Sequence, residues 1–308
     1  MPEVPASAMS EPSLVTSAAP SRRRRRRVPV GLAALALLIV TGSQAASAAS
    51  TPSATISPTS TSTSGEERHG AKPTVVLVHG AFADSSSWNK VVAKLQRAGY
   101  PVIAAANPLR DLSGDSAYVS SIVSTIPGPV VLVGHSYGGE VISNAAIGHS
   151  NVKAMVFVAG FAPEQGESGL DLTGRYPGSL LPESLLTRAF PLAGGGTGTD
   201  AYIDARKFRT AFAADLPARD TALMAATQRP ASLAALGEPS GPPAWKTLPS
   251  WYLVAGADKA IPAAAQRFMA TRAKSHTVEV KGASHVVMLS HPDVTTGLIV
   301  AAARSTSR

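Results

Sequence analysis

The stretch that most constrains the fold runs from Pro129 to Ile147, PVVLVGHSYGGEVISNAAI. Val130 to Val133 form a short apolar run rich in β-branched residues, which suits a parallel strand buried on both faces. Gly134-His135-Ser136-Tyr137-Gly138 follows and fits G-x-S-x-G. To lift a serine hydroxyl off the end of a strand, the chain must turn sharply into a helix, and the flanking residues must have almost no side chain. A helix entered after Ser136 turns its free amide end toward that hydroxyl, so charge developing on a bound oxygen meets unpaired N–H groups.

The surrounding pattern repeats this strand-and-helix alternation. Thr74 to Val78 (TVVLV) is an apolar run leading into His79-Gly80-Ala81-Phe82. Val91, Val92, Leu95 and Ala98 recur at helical spacing, Ser85 to Ser87 can cap that helix and Gly99 can end it. Further strands are expected over Val102–Ala106, Lys153–Val158, Trp251–Ala255 and Thr277–Val280, with helices over 115–125, 262–273 and 292–303. Strands alternating with helices imply an α/β fold, a doubly wound and mostly parallel sheet with helices on both faces. Binding sites in such sheets lie at the carboxyl ends of the strands. Both His79-Gly80-Ala81 and Ser136 fall at such ends.

The alternation breaks after Val158 and resumes at Trp251. Connections in α/β units usually take 2 to 6 residues, so residues 161–249 are expected to form an inserted helical lid over the serine. Short helices are expected near Pro182–Phe190, Tyr202–Ala213 and Arg219–Thr227, separated by Gly194-Gly195-Gly196 and several prolines.

The amino terminus has a different character. Six consecutive arginines, Arg22 to Arg27, precede the apolar run Val30–Val40 and then Ala46-Ser47-Ala48. A positive region, an apolar region of this length and an A-x-A site describe a secretory signal, expected over residues 1–48. The apolar run is shorter than the ~20 residues a spanning helix needs, so a secreted or cell-surface protein without stable membrane insertion is expected, with a retained anchor as the alternative. Residues 49–72, rich in Ser, Thr and Pro, read as a linker, and the folded domain is expected over 73–308.

Composition narrows the chemistry. The net charge of +8 falls to +4 once residues 1–48 are set aside, because 22 basic residues then face 18 acidic ones. No basic stripe with interleaved aromatics remains, so nucleic acid is not an expected partner. The chain has no cysteine, which excludes disulfides, thiolate metal sites and cysteine nucleophiles. No metal and no cofactor is expected.

A serine hydroxyl is a weak nucleophile at neutral pH and needs an adjacent base, normally a histidine held in one tautomer by a carboxylate. Asp258 follows the strand ending at Ala255, and His285 follows the strand ending at Val280. Ser136, Asp258 and His285 thus occur in the order Ser, Asp, His, each after a strand of one sheet. The remaining candidates read as structural: His79 and His135 as packed loop histidines, His149 at a helix end, and His276 and His291 at the surface. Asp84 reads as a helix cap, and Asp215 and Asp220 as carboxylates at helix ends within the insertion.

LVHGAF around Leu77, GHSYGG around Ser136, GADKAIP around Asp258 and GASHVVML around His285 resemble the α/β-hydrolases related to plant methylesterases and hydroxynitrile lyases, and bacterial esterases of similar size. The resemblance runs from about Pro73 to the carboxyl terminus. It implies Ser136 as nucleophile, His285 as base and Asp258 as its orienter, with the backbone amides of Ala81 and Tyr137 as the oxyanion hole. The cyanohydrin lyases of that group carry a threonine where this chain has Gly80 and a lysine where it has Val286. The resemblance therefore implies ester hydrolysis, through an acyl-enzyme, of a small or medium-sized ester.

Two other readings stay open at this point: a metal-free perhydrolase in which peroxide replaces water, and a ligand-binding protein on the same scaffold. For the substrate pocket the apolar candidates are Phe82, Trp88, Phe161 and Met224, with Phe212 and Leu223 nearby.

Overall fold

The computed structural model describes residues 72–306. The expected signal (1–48) and the linker (49–72, save Lys72) lie outside the described residues. Among those described, no helix is long and apolar enough to cross a membrane.

Six strands form one sheet: β1 (Thr74–Val78), β2 (Val102–Ala105), β3 (Val130–His135), β4 (Val152–Val158), β8 (Ser250–Ala255) and β9 (His276–Val280). Their spatial order is β2-β1-β3-β4-β8-β9, and each neighbouring pair is parallel. Every residue of β3 and β8 is buried. Successive side chains point to opposite faces of a sheet, so both faces are covered there, as the unbroken apolar runs require.

The helices that cover the sheet arise from local signals. Asp84 accepts the Ser86 amide at 2.7 Å and opens a 3-10 turn over Ser85–Trp88, which runs into α1 (Asn89–Arg97) and buries Val91 and Leu95. Asp111 accepts the Gly114 amide at 2.6 Å and caps α2 (Leu112–Ser124). α3 (Tyr137–Ala145) starts directly after Ser136. α9 (Ala263–Arg272) has Pro262 as its N-cap, and α10 (Val287–Ser290) is a single turn before α11 (Pro292–Ser305).

The segment between β4 and β8 departs from the helical expectation. It contains α4 (Gly169–Gly174), α5 (Leu181–Ser184), β5 (Leu185–Pro191), β6 (Thr197–Ile203), α6 (Ala205–Phe212), α7 (Ala218–Thr227), β7 (Ala231–Ser232) and α8 (Leu233–Gly237). The helix expected over 182–190 is only one turn long before it becomes β5, which pairs antiparallel with β6; β7 completes a second, three-stranded sheet. Gly195 and Gly196 have φ of 91° and 90°, a left-handed turn that closes a hairpin at no steric cost. In β5 the apolar residues fall on both faces of the ribbon, Leu185 and Ala189 on one and Leu186 and Phe190 on the other, instead of forming one stripe of a helix.

The topology positions the functional loops. From β1 the sheet extends one way to β2 and the other way to β3, and this reversal opens a crevice at the carboxyl ends of β1 and β3. His79 to Phe82 leave β1 at that crevice and Ser136 leaves β3 there, with Val78 in register with Gly134.

Candidate active site

Ser136 occupies the sharp turn between β3 and α3 with φ 53° and ψ −125°. A non-glycine residue in this region costs about 1–3 kcal/mol and persists only where its surroundings hold it. Here the Ser136 carbonyl accepts the amides of Gly139 (2.9 Å) and Phe161 (3.0 Å), and its own amide donates to Val158 (3.3 Å). Gly138 is required by close approach, since a Cβ there would lie 2.4 Å from the Val78 carbonyl. The side chain of Tyr137 is buried, and its hydroxyl donates to Asp115 Oδ2 at 2.9 Å, pinning the first turn of α3 to α2. Burial raises the Asp115 carboxyl, and burial with the Asp115 charge raises the Tyr137 phenol further.

Asp258 and His285 follow β8 and β9, adjacent strands of the sheet. The His285 Nδ1–H donates to Asp258 Oδ2 at 2.7 Å, and the two side chains are 1% and 0% exposed. Asp258 Oδ1 accepts the amides of Ala260 (2.7 Å) and Ile261 (3.0 Å), and Oδ2 also accepts Gln266 Nε2 at 2.7 Å. Four donors thus hold one carboxylate in a site closed to solvent. With Nδ1 committed as donor, Nε2 is left as the acceptor of the ring; it is buried and has no hydrogen-bond partner. No hydrogen bond joins it to the Ser136 hydroxyl.

His285 is held beside the Ser136 turn by a backbone bond and by two rings packed on its imidazole. His135 Nε2 donates to the His285 carbonyl at 3.0 Å, and the two imidazole rings lie 4.7 Å apart. Phe212 also packs on the His285 ring, with the two ring centroids 4.9 Å apart. His135 is therefore the tie between the turn and the base loop, and its burial keeps it neutral, its pKa far below the usual value. His79 is also buried: its Nδ1 contacts the Gly80 carbonyl at 3.0 Å and burial lowers its pKa to about 4.

Across the crevice, Ala81 and Tyr137 line the cavity that contains Ser136. The Tyr137 amide belongs to the first turn of α3, whose N–H groups have no intrahelical acceptor. Phe82, beside Ala81, has φ of 60°, a second strained residue at the same crevice. A Cβ at Gly80 would lie 2.5 Å from Ser136 Cβ, so the threonine of the cyanohydrin lyases does not fit here without displacing the serine.

The cavity is about 190 Å³ and is walled by Phe82, Phe161, Leu170, Leu181, Leu185, Phe212, Leu236 and Ile261, among others, with no charged residue in its lining. Phe82 and Phe161 line it, and Trp88 and Met224 do not. Trp88 is fully buried, edge-on to His135 at 6.3 Å between ring centroids, where the 3-10 turn before α1 packs under the nucleophile turn. Met224 lines a separate cavity behind Phe82 with Thr227, Gln228 and Leu289, because α7 presents it to that side.

Gln266 and Asp215 carry more of the site than their sequence context shows. Gln266 is one polar residue in an alanine-rich helix; only the fold reveals that it is buried, donating to Asp258 and accepting the Ala255 amide at 2.9 Å. Asp215, expected at a helix end, instead accepts the amide and the hydroxyl of Ser284. His291, expected at the surface without a partner, contacts the Ser290 hydroxyl at 2.9 Å and lies 4.0 Å from Asp215. His149 contacts the Ser120 hydroxyl at 2.6 Å, and the His276 ring lies 5.0 Å from that of Trp251.

A parallel sheet with a serine at the turn after β3 and an Asp–His pair after β8 and β9 defines a class, and the chain belongs to the alpha/beta hydrolase family, whose model matches residues 75–297. Among its relatives is a carbendazim hydrolyzing esterase of Nocardioides sp., 31% identical over 121 residues, which are 35% of this chain and 49% of that protein. A putative chloroplastic methylesterase 11 of Arabidopsis thaliana is 27% identical over 250 residues, covering 74% of this chain and 63% of the relative. The chain thus spans about half of the first and under two thirds of the second. Crystalline polyneuridine aldehyde esterase has the same fold, with a TM-score of 0.65 at 21% identity over 75% of this chain and 98% of that one.

Proposed function

We propose that the protein is a serine esterase that hydrolyses carboxylic esters of small or medium-sized apolar acids through an acyl-enzyme. Esterase-type function is supported by the relatives named above. The observation that carries the mechanism is the buried Asp258–His285 pair, whose free Nε2 belongs to a base clamped against the nucleophile turn.

In this reading Ser136 Oγ attacks the ester carbonyl carbon while His285 Nε2 takes its proton. The tetrahedral oxyanion is held by the amides of Ala81 and Tyr137, which need no reorganisation as charge develops. His285 then protonates the leaving alcohol, and water, deprotonated by the same nitrogen, releases the acid. The apolar wall, without a cation to pair a carboxylate, favours a neutral acyl group. The segment from Phe161 to Leu248 acts as a lid, contributing Leu170, Leu181, Leu185, Phe212 and Leu236 to the wall. Export and cleavage of the leader are part of the proposal, on Arg22–Arg27, Val30–Val40 and Ala46-Ser47-Ala48; absence of the protein from the medium would overturn export, and an intact Met1 in protein recovered from the medium would overturn cleavage.

Replacing Ser136 with Ala, or His285 with Ala, is expected to lower turnover of p-nitrophenyl butyrate by roughly 10⁴–10⁶-fold. A fluorophosphonate is expected to label Ser136 in the intact protein. Wild-type turnover by Ser136→Ala would sink the mechanism.

A further inference from the structure

The loop that carries His285 is anchored residue by residue. The Ala283 carbonyl accepts the Ala257 amide at 2.9 Å, next to β8. The His285 carbonyl is held by His135 and its ring by Asp258. Between them Ser284, 3% exposed, gives its amide to Asp215 Oδ2 at 3.1 Å and its hydroxyl to Asp215 Oδ1. The first three anchors come from the sheet and its loops. Asp215 comes from the segment between β4 and β8, three residues after the Phe212 whose ring packs on His285.

This arrangement differs from a carboxylate that merely solvates a helix end. The Asp215 side chain is 18% exposed, and both of its oxygens are engaged by one residue, the immediate neighbour of the base. A single hydrogen bond at Nδ1 leaves an imidazole free to swing about that bond. The swing is limited by the two rings packed on it, His135 and Phe212, and by the backbone on which the ring is mounted. Phe212 supplies one ring and Asp215 grips the backbone, so a single short stretch governs both.

We propose that Asp215 is a positioning residue for the base, holding the Ala283–His285 loop so that Nε2 of His285 stays turned toward the Ser136 hydroxyl and making that alignment depend on how the stretch from Ala205 to Leu216 is seated. The inference rests on the serine-esterase reading. It gives the inserted segment a part in assembling the catalytic geometry as well as in walling the cavity.

The test compares the full chain with Asp215→Asn, Ser284→Ala, the double variant and Ser136→Ala, each shown to be folded by circular dichroism. Misplacing a catalytic group by about 1 Å costs on the order of 100-fold, so kcat for p-nitrophenyl butyrate is expected to fall about 10- to 100-fold in Asp215→Asn and Ser284→Ala. KM is expected to stay within about twofold, as for an interaction felt in the transition state. The rate constant for phosphonylation of Ser136 by a fluorophosphonate should fall in parallel, while the fraction of titratable sites stays near that of the parent. Because both substitutions act on the one Ser284–Asp215 contact, their losses should not multiply in the double variant, which should be no slower than the slower single.

Unchanged kcat in both single variants overturns the proposal. So does a loss that appears only in the titratable fraction, which is what a purely structural role would give, or losses that multiply in the double variant. Should Asp215→Asn fail to fold, Ser284→Ala decides by the same readouts. Normal turnover by Ser136→Ala would instead bring down the esterase reading itself, whereas an inactive Ser136→Ala beside a normal Asp215→Asn removes only the positioning role.

Discussion

Asp258 Oδ2 accepts a 2.7 Å hydrogen bond from His285 Nδ1 and another of 2.7 Å from Gln266 Nε2, all within a site closed to solvent. The first bond sets the tautomer of the base, and the second sets the orientation of the carboxylate that does so. In the same way Gln266 is tied to the end of β8 by the Ala255 amide, so the acid is mounted on the sheet through a side chain in α9.

Asp258→Asn keeps the shape of the acid and removes its charge, letting the imidazole take the wrong tautomer. Turnover is expected to fall by about 10⁴-fold with little change in stability. Gln266→Leu should behave differently. It strands the buried Ala255 amide and frees one side of Asp258, and each unsatisfied buried group costs about 1–3 kcal/mol. A lower melting temperature together with a partial loss of turnover is the expected result, and a melt identical to that of the parent would contradict the assignment.

Stability should change with pH in two opposing directions. Burial and the nearby charge of Glu238, with smaller contributions from Asp171 and Glu167, raise the Glu140 carboxyl well above its ordinary 4.5 against the opposing pull of the Gly169 amide. The folded state therefore keeps a proton that the unfolded chain releases, so Glu140 subtracts stability as pH rises above about 4.5. His79 acts oppositely. With a folded pKa of about 4 against 6.5, it loses stability as pH falls below 6.5, by an amount on the order of 3 kcal/mol once pH reaches 4. Glu140→Gln is expected to raise the melting temperature more at pH 8 than at pH 5. Equal gains at both would show that Glu140 is not buried as a neutral acid.

The cavity beside Ser136 sets an expected acyl preference. An apolar cavity of about 150 Å³ accepts benzene, and the wall here encloses about 190 Å³. Turnover of p-nitrophenyl esters should therefore rise from acetate to acyl groups of about hexanoyl or benzoyl size and fall for longer chains, with charged acyl groups disfavoured. Phe161→Ala should move the optimum to longer chains. Trp88→Phe, which lies outside the cavity, should leave the profile in place even if it lowers stability, and a shifted profile would refute this account.

The legible part of the chain was the part whose chemistry is local. Four strands of the main sheet, β1, β3, β4 and β8, were readable because each is a short apolar run buried over nearly all of its length; β9 (HTVEV), exposed at four of its five residues, carries no such run. Ser136 was readable because the turn around it tolerates almost no side chain. The hairpin of β5 and β6 was not, since a mixed run such as Leu185–Pro191 serves a helix face or a ribbon face equally well. Trp88 and Met224 were placed in the pocket because they are large and apolar, a property shared by core and cavity wall alike.

By itself the sequence determined the alternation of strand and helix, the sharp turn at Ser136 and the chain order of Ser136, Asp258 and His285 after successive strands, all of which follow from backbone sterics and hydrophobic periodicity within a few residues. The tertiary structure decided which polar groups share a dry space. Gln266 meets Asp258, Asp215 meets Ser284 and Phe212 meets His285 because β8, β9 and the inserted segment converge there, bringing together residues up to 73 positions apart. Such pairings leave no local signature, since a buried polar group needs a partner but its own neighbourhood in sequence does not say which one the fold will supply.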